Sequence, residues 1–217
     1  TMFDLPKMSS IRARFLRESV QDLRDSFQDL GADLVVRRGR PEDILPELVR
    51  KTGANEVLQF QEIGGEEEDV ETAVEDALRD TGATPGFFWG KTLYHIDDVP
   101  FDGPDDIPKV YTNFRKAVEK KSTVRPTLDA PDSLLPLPED LNPGSIPTLD
   151  ELGFDDDGTV DERGVLPFRG GESRGHDRID EYIWRGDFLT KYKATRNRLL
   201  GANYSAKLRP WPAPGSL

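Results

Sequence analysis

The chain contains no cysteine. This excludes a disulfide framework and any thiolate metal site. It has two histidines, His95 and His176, far apart in sequence. A His-based zinc site or a Ser-His-Asp triad therefore has no local motif behind it. No apolar run approaches the roughly 20 residues of a membrane-spanning helix. The opening TMFDLPKMSS lacks the apolar core of a signal peptide. With neither feature, no membrane role is expected and the expected location is cytoplasmic. Positive charge is also scarce, with 41 acids against 29 bases and a net charge of −12. Phosphate-gripping over the whole surface is excluded, and a basic groove must be local. Lysine is the rarer base, at 10 against 19 arginines. An acidic, lysine-poor surface suits a high-salt cytoplasm and equally suits an ordinary acidic protein.

What is present begins with helix periodicity. Ile11 to Leu30 carries an apolar stripe of Phe15, Leu16, Val20, Leu23, Phe27 and Leu30. Ser9 or Ser10 stands at its start and Gly31 at its end. A strand is expected over Leu34 to Arg37. The next helix starts near Pro41, with Ile44, Leu45, Leu48 and Val49 on one face, and closes at Gly53. Glu56 to Gln61 reads as a strand and Glu66 to Arg79 as a helix with acids in its first turn. A strand around Phe87 to Trp89 follows, then a short helix from Val110 to Lys121 with Tyr111, Phe114, Ala117 and Val118 inward. Alternating helices and strands predict an α/β fold, a doubly wound parallel sheet. Ligands of such sheets bind beyond the strand carboxyl ends, here Arg37–Arg40, Gln61–Gly65 and Trp89–His95.

From Ser122 to Gly175 the chain is rich in Pro, Gly and Asp, which predicts a connector wrapped on a surface. Helix returns from Ile179 to Tyr192. The expected division is 1–121, a linker over 122–175, and a helical part from 176 to 217.

Several motifs point to bland readings. DDDGTVDE, Asp155 to Glu162, has the wrong glycine register for a calcium loop and reads as an acidic turn. GGEEEDVE lacks a phosphate-loop pattern, and its carboxylates would repel phosphate. Glu62 differs, because a carboxylate at a strand's carboxyl end can accept paired N–H donors from a heterocycle. Trp89, Trp184 and Trp211 read as core or interface anchors. In YSAKLRPW, Ser205, Lys207 and Arg209 lie close enough to cradle an anion.

Taken in order, the segments resemble the cryptochrome/photolyase family, and most its cryptochrome-DASH branch. RARFLRESVQDLR, VVRRGRPEDILPEL, FFWGKTLYHIDDVPF and VYTNFRKAVEKKSTVR resemble its antenna-type α/β domain. FRGGESRGHDRIDEYIW resembles the entry to the helical domain, and YKATRNRLLGANYSAKLRPW its first flavin-contacting stretch. The resemblance implies an α/β domain whose first strands would lie before Thr1. It also implies an all-α FAD-binding domain mostly beyond Leu217. Starting at Thr1, the chain reads as a piece of a longer protein, inactive alone.

For the parent, the resemblance implies a monomeric flavoprotein that acts on DNA containing cyclobutane pyrimidine dimers, single-stranded or looped. Reduced FAD would give the electron that splits the dimer. A blue-light signalling role is the alternative. Tyr192, Ser205, Ala206, Lys207, Leu208 and Arg209 take the implied FAD positions. Glu62 takes that of the carboxylate facing a 5,10-methenyltetrahydrofolate antenna. The chain departs from the pattern at Arg209, where the family has Ser, and at Pro212 and Pro214, where a helix should begin.

Overall fold

A computed structural model describes residues 8–155, 164–213 and 215. The acidic turn DDDGTVDE, apart from Asp155, lies outside the described residues, as does Pro214. The chain divides into two compact units, one of Arg38–Pro131 and one of Thr1–Arg37 with Asp132–Leu217.

The Arg38–Pro131 unit is built around a strand–helix–strand crossover. Helix α2 (Pro41–Thr52) starts with Pro41 in its first turn beside Glu42 and Asp43, and stops at Gly53 with φ 69°. Proline needs no donor at that first turn, and only glycine takes the left-handed closing position without strain. Strand β1 (Glu56–Phe60) leads through helix α3 (Gly65–Leu78) to strand β2 (Thr84–Phe88). The two strands pair in parallel, with Val57 opposite Pro85 and Leu58 opposite Gly86. A β-carbon at residue 86 would sit 2.7 Å from a terminal methyl of Leu58, a flexible side chain that would have to move aside.

Val49, Val74, Leu78 and Ala83 form the core, flanked by Leu45 and Val57. Burying a side chain the size of Leu78 contributes about 1.5–3 kcal/mol. On the other face of the sheet Leu58, Phe60 and Phe88 are more than half exposed. Helix α4 (Tyr111–Lys121) turns Val118 inward, and Phe114 stacks on Phe101 at 5.5 Å. Tyr111, expected inward, is 72% exposed at the first position of the helix, where its ring lies 6.4 Å from that of Phe114.

The second unit is organised on helix α1 (Ser10–Asp29). Ser9 is its N-cap by backbone, and its hydroxyl makes no capping bond. Its end is a Schellman closure: Ala32 N–H donates to Phe27 O (2.9 Å) and Gly31 N–H to Gln28 O (3.0 Å). The strand expected over Leu34 to Arg37 is extended chain outside the sheet. Val36 N–H donates to Pro143 O at 2.7 Å, and the Arg37 guanidinium donates to Asn142 O and Pro143 O. Its neighbour turns away at Gly144 (φ 79°), so one bond forms where a ladder would need several. The Pro-rich run is tied to α1: Leu134 N–H donates to Leu30 O, Arg17 to Pro147 O and Arg24 to Gly144 O.

Helix α5 (Glu172–Ile179) begins earlier than the expected Ile179 start. It continues as a π-helical turn over Asp180–Arg185. The helix expected to reach Tyr192 breaks at Gly186–Asp187, where Asp187 takes φ 46°, and resumes as the short α6 (Tyr192–Thr195). The early start comes from outside the local sequence, because side chains of α1 receive the first backbone donors of α5.

Candidate functional site

The segment after α6 has little regular structure, yet its fold is closely determined. Arg178 is 4% exposed and uses its guanidinium as a hub. Its Nε donates to Ala206 O at 3.0 Å. Its Nη1 donates to Glu181 Oε2 (2.8 Å) and to Asn203 Oδ1 (2.9 Å). Its Nη2 donates to Ala202 O (3.1 Å) and Ser205 O (3.4 Å). The Tyr182 ring lies under it at 5.2 Å. From α6, Thr195 Oγ1 donates to Tyr204 O at 2.9 Å.

This places the predicted residues as follows. Lys207 is in the left-handed region, φ 54°, and its Nζ lies 3.5 Å from Ser205 Oγ and 3.2 Å from the Tyr204 ring centroid. Among the described residues no carboxylate pairs with Lys207 or Arg209. Ala206 contributes its backbone carbonyl to Arg178, and Leu208 O accepts the N–H of Trp211 at 3.1 Å. Arg209 is exposed on the following turn, where Ala213 N–H donates to Arg209 O. Pro212 lies in that turn, and no regular helix starts there among the described residues.

Tyr192 opens α6 and is 38% exposed. It stands close enough to Tyr182 to act on its ionisation. Burial pushes the Tyr182 phenol above its ordinary value, Tyr192 adds to the rise, and the Arg178 cation opposes it. Among the described residues the buried Tyr182 hydroxyl has no hydrogen-bond partner.

Trp211 anchors the end of the segment. It is 3% exposed, its Nε1 donates to Arg169 O at 3.0 Å, and its ring meets Phe15 at 6.0 Å and Phe168 at 5.7 Å. Trp184, by contrast, is 73% exposed.

Glu62 lies in the other unit, at the carboxyl end of β1. Its carboxylate forms an ion pair with Lys91, and its backbone N–H donates to Glu71 Oε1 of α3 at 2.7 Å. Lys91 takes φ 62° and stands 5.8 Å from the Phe60 ring centroid. A carboxylate, a cation and a half-exposed aromatic thus meet beyond the strand ends. Such a group can hold a planar heterocycle through a carboxylate–N–H pair and a ring face. His95 caps a short turn by accepting Asp97 N–H at 3.2 Å, and His176 faces Glu172 at 3.5 Å. Among the described residues no group of three or more His, Cys, Asp or Glu converges as a metal site. Among them, too, no helix is long and apolar enough to cross a membrane.

Sequence reasoning singled out neither Arg178 nor Lys91. Arg178 stands three and four residues before Glu181 and Tyr182, a spacing that puts all three on one helix face. Lys91 carries no local signal, since its left-handed backbone and its partner Glu62 emerge only on folding.

Residues 1–135 match the DNA photolyase family. The chain is 46% identical over 215 residues to the cryptochrome DASH of Gloeobacter violaceus, covering 99% of this chain and 42% of that protein. It is 46% identical over 212 residues to the cryptochrome DASH of Natronomonas pharaonis, covering 98% of this chain and 44% of that protein. The crystal structure of a Synechocystis cryptochrome superposes with a TM-score of 0.92 at 39% identity, over 100% of this chain and 44% of that one. The chain thus spans about two fifths of the length of the curated relatives it matches. The relatives it resembles over nearly its whole length are cryptochromes DASH, and with residues 1–135 matched by the family the chain belongs to the DNA photolyase family.

Proposed function

We propose that the chain is a piece of a cryptochrome-DASH-type, FAD-dependent photolyase acting on cyclobutane pyrimidine dimers, preferentially in single-stranded DNA. Residues 1–121 supply part of the antenna-type domain, 122–175 the connector and 176–217 the entry to the flavin domain. The observation that carries this reading is the Ser205–Arg209 turn. It offers a hydroxyl and two cations without carboxylate partners among the described residues, in a chain of net charge −12. That donor set fits a diphosphate, where charge-assisted hydrogen bonds are strongest. Lys207 and Arg209 would neutralise the phosphates, Ser205 would donate its hydroxyl, and Tyr192 would border the same segment.

When bound and reduced, FAD would supply the electron that splits the dimer. The chain's part is to bind and orient. A single strand lowers the cost of bringing the dimer out of the stack. Glu62, with Lys91 and Phe60 beside it, is proposed to face a 5,10-methenyltetrahydrofolate antenna.

The test compares the purified 217-residue chain with the full-length gene product by absorption spectroscopy and cofactor extraction. Flavin on the full-length protein, with light-dependent loss of dimers from single-stranded DNA, is the expected result. Flavin on neither protein would end the photolyase reading. Flavin without repair would favour blue-light signalling instead.

A further inference from the structure

We infer that Arg178 is a positioning residue for the flavin-contact segment. Its guanidinium sets the backbone from Ala202 to Ala206, and through it the presentation of Ser205 and Lys207. The ligand named here rests on the flavin reading above; the control of the segment's shape does not.

A guanidinium has five N–H groups in a rigid fork and no acceptor. All of them are used: one on Ala206 O, two on Glu181 Oε2 and Asn203 Oδ1, and two on Ala202 O and Ser205 O. Four of these five acceptors belong to residues 202–206. The segment curls its carbonyls inward around a single cation.

Little else fixes it. Among the described residues no strand or longer helix runs from 196 to 208, so no backbone ladder dictates this path. Thr195 gives one further bond, to Tyr204 O. Lys207 follows directly, in a left-handed conformation that a side-chain-bearing residue holds only when its surroundings impose it. The inward carbonyls are those surroundings.

Arg178 itself is well fixed. Tyr182 stacks beneath it and Glu181 pairs with it, both on the same face of the helix. A buried cation left with fewer acceptors costs more than the bonds it loses, so the hub and the segment hold each other in place. Lysine cannot replace it. A point charge with three donors cannot serve five acceptors spread around a plane.

The test uses the full-length gene product and two substitutions, Arg178→Lys and Asn203→Ala. Hydrogen exchange is followed for peptides covering Tyr204–Leu208 and, as an internal reference, Gly171–Ser173. FAD affinity is measured by titration on the same samples. Losing charge-assisted bonds of this kind is expected to speed exchange in Tyr204–Leu208 and to weaken FAD by about tenfold or more in Arg178→Lys. Asn203→Ala, which removes one acceptor, should fall between it and the wild type. The reference peptides should not change.

Exchange in Tyr204–Leu208 that matches the wild type in Arg178→Lys overturns the inference. So does faster exchange spread evenly over the protein, which would make Arg178 an ordinary stabilising residue. Raised local exchange with unchanged FAD affinity overturns the link to the ligand. Wild-type protein that takes no FAD overturns the flavin reading alone, and the exchange pattern still decides the positioning claim. If Arg178→Lys does not fold, Asn203→Ala decides by the same two readouts.

Discussion

Asp22 accepts the backbone N–H of Ser173 through its Oδ2 at 3.2 Å, across 151 residues of chain. It caps a helix to which it does not belong. Helix α5 has no capping bond from its own preceding residue, Gly171. The side chains of α1 fill that role. Glu18 accepts Gly170 N–H (2.8 Å), Ser19 Oγ accepts Gly171 N–H (3.0 Å), and Glu18 also pairs with Arg169. The helix that carries Arg178 is therefore started by α1.

This contact requires a glycine at 170. A β-carbon there would lie 1.9 Å from Phe15 O and 2.8 Å from Ser19 N, both backbone atoms that cannot swing aside. Gly170→Ala is expected to destabilise this unit by about 1–3 kcal/mol or more, as overpacking against rigid neighbours does. Asp22→Ala removes a cap and is expected to cost about 1 kcal/mol. Urea midpoints for the two variants check the order, with Gly170→Ala the worse.

The crossover was legible in the sequence because most of its elements announce themselves locally. Pro41 and Gly53 bracket α2, acids open α3, and Val57, Leu58 and Phe60 mark β1, whereas the strand expected around Phe87 to Trp89 begins three residues earlier, at Thr84, because Pro85 and Gly86 give no strand signal. The expected strand at Leu34–Arg37 failed because a strand is made by its neighbour. Val36 finds Pro143 in place of a ladder, and no property of LVVR shows that. The start of α5 was missed for the same reason, since its cap is supplied from Asp22. Of the candidate site, Ser205 and Lys207 were legible and the structure brings them together. Their organiser, Arg178, was hidden, because its acceptors are backbone carbonyls that any sequence possesses.

Tyr182 gives an unusual expectation for a fully buried residue. Its hydroxyl is buried and finds no hydrogen-bond partner among the described residues. Removing an unsatisfied polar group relieves a desolvation cost of about 1–3 kcal/mol. Tyr182→Phe keeps the ring under Arg178 and against Phe188. It is expected to be neutral or stabilising by thermal melting. Burial raises the pH at which the phenol ionises in the folded protein, so the neutral form is favoured. The wild type therefore loses stability as pH rises above 10, the ordinary tyrosine value, and Tyr182→Phe should lose less.

Lys91 separates stability from binding. Its left-handed backbone costs about 1–2 kcal/mol, which glycine would not incur. Its partly exposed pair with Glu62 contributes about 0–1 kcal/mol. Glycine's greater freedom in the unfolded chain costs about 0.4–1 kcal/mol, so Lys91→Gly is expected to leave the urea midpoint unchanged or slightly raised. If the Glu62 site holds folate, the same variant of the full-length gene product should retain less of it on extraction. Glu62→Gln should do the same. Folate retained at wild-type levels by both would remove these residues from the antenna site.

Asp33 contributes to the acid sensitivity of the unit built on α1. Arg24 donates Nε to Asp33 Oδ1 at 2.7 Å and Nη2 to Oδ2 at 3.0 Å, while Leu34 N–H also donates to Oδ1. The Arg24 hydrogen bond holds the Asp33 carboxyl below its ordinary 3.8, with burial opposing and the Leu34 N–H assisting. The folded state thus binds this proton more weakly than the unfolded chain does. Its contribution is complete above 3.8 and is lost as pH falls through the lower folded value. Asp33→Asn removes the charge at every pH. The variant should be less stable than the wild type at neutral pH, with a gap that narrows steadily below pH 3.8. Arg24 also donates to Gly144 O at 2.9 Å, so the same loss should loosen the Pro-rich run from α1. Urea unfolding of both proteins between pH 7 and the acid limit measures the gap. A gap that stays constant through the acid range would show that Arg24 does not hold this carboxylate.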